Sequence, residues 1–151
     1  MTDIVTPKKR SAMMSGIKGK NTKPELLIRK ALYGQGFRYR LHHPKLPGKP
    51  DIVMAKYNSI IFIHGCFWHM HGCHLFKWPS TRPDFWHNKI QGNQKKDSEN
   101  LQKLFKNGWR VLIIWECSLK GKEKLDFDFL LEQIIKWINS NCQFYEITGR
   151  K

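Results

Sequence analysis

The segment His64-Gly-Cys-Phe-Trp-His-Met-His-Gly-Cys73 constrains this chain more than any other. Positions 64 to 74 hold two cysteines and four histidines besides Gly65 and Gly72. Zinc takes thiolate and imidazole ligands in a tetrahedron, and a structural zinc site is closed by four protein ligands. Cys66, His71 and Cys73 can supply three of them from one tight loop. Cys117 follows the apolar run Trp109–Trp115 and is the natural fourth, with His69 and His74 as competitors. Such a site obliges the loop and the end of a distant strand to meet at one sheet edge.

The four cysteines do not read as a disulfide framework. Met1–Arg10 has no apolar stretch after its charges, so no secretory signal is expected and the thiols stay reduced. Cys142 has no histidine beside it and reads as a buried or free thiol. The apolar runs Ile60–Ile63 and Val111–Trp115 are far too short to span a bilayer. A cytoplasmic chain is therefore expected, and 151 residues suit a single domain, 1–151.

Charge supplies the expected partner. Lys and Arg number 27 against 12 Asp and Glu, a formal net charge of +15. A field of that sign steers polyanions, and phosphate contacts supply most non-specific nucleic-acid affinity. The plain alternative is a merely basic protein. Residues 1–20, with Pro7-Lys-Lys-Arg10 and Lys18-Gly-Lys20, read as a basic arm rather than core.

Thr22-Lys-Pro-Glu25 is a helix start: Thr22 as N-cap, Pro24 in the first turn, Glu25 closing a capping box. Leu26, Leu27, Ala31 and Leu32 give that helix an apolar face. Phe37–Leu41 alternates as a strand. Asp51–Ala55 and Ile60–His64 are β-rich runs around Lys56–Ser59 and predict a hairpin. Residues 65–85 read as irregular. A helix is expected over about 93–107, a buried strand over Trp109–Trp115, and a last amphipathic helix on Phe127, Leu130, Leu131, Ile134, Ile135 and Ile138. One sheet flanked by helices, an α/β fold, is the simplest packing.

With Lys56–Ser59 as the turn, Asp51 faces His64, Val53 faces Phe62 and Ala55 faces Ile60. Opposed residues of an antiparallel pair share a face, so Asp51 and His64 project together beside His69. A carboxylate and histidines on a basic surface suit metal-assisted phosphodiester hydrolysis. Asp51 would hold Mg²⁺ and a histidine would move the proton. Taken singly, Asp51 is a turn residue after Pro50, His64 a strand-end histidine and Glu25 a cap. Phe67, Trp68 and Trp86 admit two readings. They cover the zinc loop as a satellite core, or they stack on bases, with Lys77, Arg82, Lys89, Lys95 and Lys96 around them.

These residues together resemble the very-short-patch-repair (Vsr) DNA mismatch endonucleases along nearly the whole chain. The resemblance is carried by Arg10-Ser11, Met14-x-x-Ile17, Glu25, Leu46-Pro-Gly-x-Pro-Asp51, Ile61-Phe62 and His64-Gly-Cys-Phe-Trp-His69. It continues through His71-x-Cys73, Leu75-Phe-Lys77, Phe85-Trp86, Gly108-Trp-Arg-Val-Leu-Ile113 and Trp115-Glu-Cys117. It implies a restriction-endonuclease-like fold, a mixed central sheet with a structural zinc. It implies Mg²⁺-dependent nicking of one strand of double-stranded DNA. The nick falls beside the T of a T:G mismatch left by 5-methylcytosine deamination. By the same resemblance, Asp51 and the Ile63 carbonyl bind Mg²⁺, His69 is the general base or acid, and His64 and Glu25 support the water and proton network. Cys66, His71, Cys73 and Cys117 hold zinc. Phe67, Trp68 and Trp86 wedge beside the mismatch, Met14 and Ile17 act from the arm on the opposite groove, Arg10 contacts DNA, and Lys89 and Asn93 read the mismatch. A monomer is implied, working at the nucleoid ahead of further repair factors. The chain departs from the family's habit at Ile63, often Thr, and at Met70 and Gly72, which thin the histidine run.

Overall fold

A computed structural model of the chain describes residues 23–150, apart from Met70 and His74. The basic arm, with Arg10, Met14 and Ile17, and the Thr22 cap lie outside the described residues.

Helix α1 spans Lys23–Gly34. Strands β1 (Arg40–Leu41), β2 (Ile52–Met54) and β3 (Ser59–His64) follow. Helix α2 (Pro83–Lys106), strand β4 (Arg110–Trp115), helix α3 (Phe127–Ile138) and strand β5 (Phe144–Ile147) complete the order. The sheet order is β1-β2-β3-β4-β5. β1, β2 and β3 pair antiparallel, while β3, β4 and β5 pair parallel. The sheet is therefore mixed. β3 and β4 are apolar on both faces because both faces are covered. On one face Ile52, Met54, Ile61, Leu112 and Ile114 pack against Ile28 and Leu32 of α1 and Leu130, Ile134 and Trp137 of α3. On the other, Val53, Ile60, Phe62, Val111, Ile113 and Trp115 pack with Leu104 of α2 and with Cys66 and Cys117.

Four points depart from the sequence expectation. The hairpin turn falls one residue early: Ala55–Tyr57 form a 3₁₀ turn and Asn58 closes it at φ 51°. Asn tolerates that left-handed region. The register pairs Ile52 with Ile61 and Val53 with Ile60. Asp51 thus falls opposite Phe62, two places short of His64, on the same face but displaced along it. Second, α2 begins at Pro83, ten residues before the expected start. Its inward stripe runs Trp86, Ile90, Asn93, Asp97, Leu101 and Leu104, and the polar pair in the middle breaks the apolar period. Third, β5 was not expected, because Ile147 is its one buried residue. The expected strand at Phe37–Leu41 shortens to Arg40–Leu41.

Arg110 ties the two ends of this architecture together. Its guanidinium donates to the carbonyls of Trp137 (3.1 Å) and Ile138 (2.7 Å), to the Tyr57 carbonyl (3.2 Å) and to Ser59 Oγ (2.8 Å). It caps the C-terminus of α3, whose last carbonyls have no helical partner, with a cation where the helix dipole favours one. Arg110→Ala leaves several carbonyls short of donors. It is expected to lower the unfolding free energy by about 2–3 kcal/mol in a urea titration; a change under half of that would refute this role.

No helix among the described residues is long and apolar enough to cross a membrane.

Candidate active site

One cleft of about 1260 Å³ opens between the start of α1, the end of β3, the loop after it and the middle of α2. Glu25, Asp51, His64, His69 and Asp97 all line it, with Phe67 and Trp68 at its wall. The sequence expectation placed Asp51 directly beside His64 and His69. The structure resolves them into two neighbouring clusters on that one cleft.

The first is Glu25, His42 and Asp51, whose donor atoms lie within 4.8 Å of one another. Asp51 follows Pro50 at the start of β2, and its Oδ2 accepts the Ile63 amide N–H at 2.7 Å. Burial pushes its carboxyl up to about 6, opposed by the Ile63 N–H and reinforced by the Glu25 carboxylate. Glu25, in the first turn of α1, is 3% exposed. Its Oε2 accepts from Arg29 Nη1 at 2.9 Å and from His42 Nε2 at 2.6 Å. A buried and a half-buried carboxylate side by side, the second reluctant to ionise, form an oxygen donor set that a hard divalent cation fits. Ile63 stands against Asp51 through its amide.

The second cluster is His64, His69 and Asp97. The two imidazoles stack with centroids 3.7 Å apart and planes 5° from parallel. His69 Nδ1 lies 2.5 Å from Asp97 Oδ2. A carboxylate on Nδ1 fixes the ring's orientation and tautomer and leaves Nε2 for proton exchange. Burial, then the neighbouring His69, holds His64 well below the usual histidine range, so it is a neutral plate under the His69 ring. Its Nδ1 is buried with no hydrogen-bond partner among the described residues. Sequence reasoning missed both His42 and Asp97. Asp97 was legible only as the acidic member of the α2 stripe, flanked by Lys95 and Lys96.

Behind the cleft, Cys66, His71, Cys73 and Cys117 bring four donor atoms within 4.8 Å. The parallel pairing of β3 with β4 sets His64 beside Trp115, so the chain leaves both strands at one edge and residues 66 and 117 meet. Cys117 N–H donates to Cys66 Sγ at 3.3 Å, and Gly149 N–H to Cys117 Sγ at 3.3 Å. Burial pushes the Cys66 and Cys117 thiols up, and the adjacent sulfurs raise them further. Amide donors aimed at sulfur favour thiolate, while crowding of sulfurs opposes it without a cation. That tension, with a soft S₃N donor set, fits a metal ion. Of the competitors, His69 turns to Asp97, and His74 lies outside the described residues. Cys142 is exposed and apart.

Phe67, Trp68 and Trp86 pack on each other at 5.1 to 5.9 Å between centroids. They form a small half-buried aromatic body, of which Phe67 and Trp68 line the cleft. Asn93 Nδ2 donates to the Trp68 carbonyl at 3.0 Å, holding that body to α2. Lys89 is exposed on the cleft's rim.

A family model described as DNA mismatch endonuclease Vsr matches residues 2–75. The DNA mismatch endonuclease Vsr of Escherichia coli (strain K12) is 44% identical over 138 residues, covering 91% of this chain and 88% of that protein. The type II nicking enzyme V.NmeAIP of Neisseria meningitidis is 50% identical over 122 residues, 81% of this chain and 87% of its own. The type II nicking enzyme V.XorIIP of Xanthomonas oryzae is 43% identical over 126 residues, 83% and 93%.

Proposed function

The chain belongs to the Vsr family of DNA mismatch endonucleases, and on that premise we propose that it nicks one strand of duplex DNA beside the T of a T:G mismatch, the product of 5-methylcytosine deamination. The observation that carries the reading is the cleft. Glu25, Asp51 and the Asp97–His69 pair line one surface, with Phe67 and Trp68 on its wall.

Asp51 and the Ile63 carbonyl hold Mg²⁺, with Glu25 ordering water beside it. Mg²⁺ there supplies charge neutralisation at the scissile phosphate. The chain's own groups do the rest. His69 exchanges a proton at Nε2, Asp97 holds its ring, and His64 backs it as a neutral, desolvated surface. Zinc at Cys66, His71, Cys73 and Cys117 locks the loop. Phe67, Trp68 and Trp86 enter the base stack, paying some unstacking to open the mismatch. Lys89 and Asn93 read it; Asn93 commits its amide nitrogen to Trp68, which leaves its Oδ1. Residues 1–20 act as an arm, with Arg10 on the backbone and Met14 and Ile17 at the opposite groove. The protein works as one domain and as a monomer, in the cytoplasm at the nucleoid, and hands the nick to further repair factors. The net charge of +15 supports affinity for the duplex that falls steeply with salt.

The direct experiment uses a labelled duplex with one T:G pair. Nicking confined to the T strand, dependent on Mg²⁺, is expected. Binding without any nick would make this a recognition module, and equal cleavage of both strands of a matched duplex would make it a restriction-type nuclease.

Asp97→Asn tests the proton path. The amide keeps a partner for His69 but loses the charge that stabilises the imidazolium. Single-turnover nicking is expected to drop about 100-fold, with DNA affinity and melting temperature little changed. A rate within threefold of wild type would remove Asp97 from the mechanism.

A further inference from the structure

We infer that His42 is a positioning residue for Glu25, and through it for the cation site proposed at Asp51; the inference rests on that proposed site. His42 follows β1 with φ at 47°, a left-handed backbone few non-glycine residues adopt without a reason. Its own backbone supplies the restraint. Its N–H donates to the Asp51 carbonyl at 3.1 Å, which pins it to the start of β2. From there the ring crosses to α1 and places Nε2 2.6 Å from Glu25 Oε2, with the side chain only 12% exposed. Arg29, one turn along α1, donates to the same oxygen. Two donors converging on Oε2 fix the carboxylate, and Oε1 takes neither bond. One residue thereby fastens both acids of the site, Asp51 through the main chain and Glu25 through the ring.

His42 is not itself placed as a ligand. Its Nε2 is engaged with Glu25, and Mg²⁺ prefers oxygen. The ring is not needed to join β1 to β2, since the strand pairs Arg40–Val53 and Leu41–Ile52 and the His42 backbone bond already do so. Removing the ring frees the Glu25 carboxylate to rotate, and the cost falls on whatever cation that acid helps to hold.

The test reads metal binding rather than nicking. The full-length chain, its thiolate site loaded with zinc, is titrated with Mn²⁺ and followed by electron paramagnetic resonance. His42→Asn keeps a residue that accepts the left-handed backbone but is too short to reach Glu25. It is expected to weaken Mn²⁺ binding about 5- to 20-fold, the effect of losing one charge-assisted hydrogen bond. His42→Gln, longer and with a donor, is expected to recover most of the loss. In a Glu25→Gln background His42→Asn is expected to have little further effect, because the two act as one unit. Unchanged affinity in His42→Asn, or an equal loss in both backgrounds, overturns the inference. A nitrogen coupling in the bound Mn²⁺ spectrum that His42→Gln abolishes overturns it too, in favour of direct ligation. If Asp51→Asn leaves Mn²⁺ binding intact, the cation site itself is misplaced, a failure separate from that of His42.

Discussion

Asp51→Asn is expected to stop nicking while making the metal-free protein more stable at neutral pH. The loss of activity follows from position. Asp51 lies in the cleft with Glu25, and no other described carboxylate shares its bond to the Ile63 amide. Removing its charge should cost at least about 1,000-fold, the scale at which a metal-dependent step fails. The gain in stability follows from burial. An ordinary aspartate ionises near 3.8, and here the carboxyl is held up to about 6. The folded protein then binds the proton more tightly than the unfolded chain does. The stabilisation that goes with protonated Asp51 is fully present below pH 3.8 and is lost as pH rises through 6. Above that, the buried charge costs about 3 kcal/mol, at about 1.4 kcal/mol per tenfold change in proton affinity. The asparagine still accepts the Ile63 N–H and carries no charge, so it escapes most of that cost. Melts at pH 8 without divalent cations should rank the variant above wild type. The ranking should shrink at pH 4, and adding Mg²⁺ should stabilise only the wild type. A variant that melts lower than wild type at pH 8, or one that still nicks, would be incompatible with this account.

Loss of the metal ion proposed at Cys66, His71, Cys73 and Cys117 should be the most damaging single perturbation to the fold around the cleft. Cys66 and Cys117 are buried in the core that α2 shares with the sheet, so the cluster is not a peripheral ornament. An ion bound there would neutralise thiolates that burial otherwise opposes, and binding free energy at such sites is folding free energy. Cys117→Ser, or chelation of the wild type, should lower stability by roughly 3–5 kcal/mol. It should also abolish both nicking and the mismatch preference. His69→Ala should keep full zinc content, since His69 turns to Asp97. Elemental analysis with thermal melts decides it: protein isolated free of zinc yet equally stable and active would sink the assignment.

The convergence of Cys66, His71, Cys73 and Cys117 was legible in sequence because a soft metal site needs particular atoms, and their spacing lets one loop deliver three of them. The sheet was legible because β3 and β4 are buried on both faces and read as unbroken apolar runs. The hairpin register was less so. Nothing local distinguishes a turn at 55–58 from one at 56–59, and the choice fell to Asn58, which accepts the left-handed closing position. The early half of α2 escaped because its inward stripe carries Asn93 and Asp97. Those positions are polar because they face the cleft, and a search for apolar periodicity discards them. His42 escaped for a related reason: its partner is 17 residues away on another element.

The loop between His64 and Cys73 has a metrological consequence. His69, which would meet the phosphate, and Phe67 and Trp68, which would meet the bases, are covalent neighbours. A metal ion bound by Cys66 and His71 would clamp them at both ends. The distance from the disturbed base pair to the broken bond would then be a gauge length set by two or three residues of that loop. On that account flanking sequence would change how often the enzyme engages, and would have no purchase on where along the strand the cut falls. A cut that wanders with context would mean that the gauge lies elsewhere.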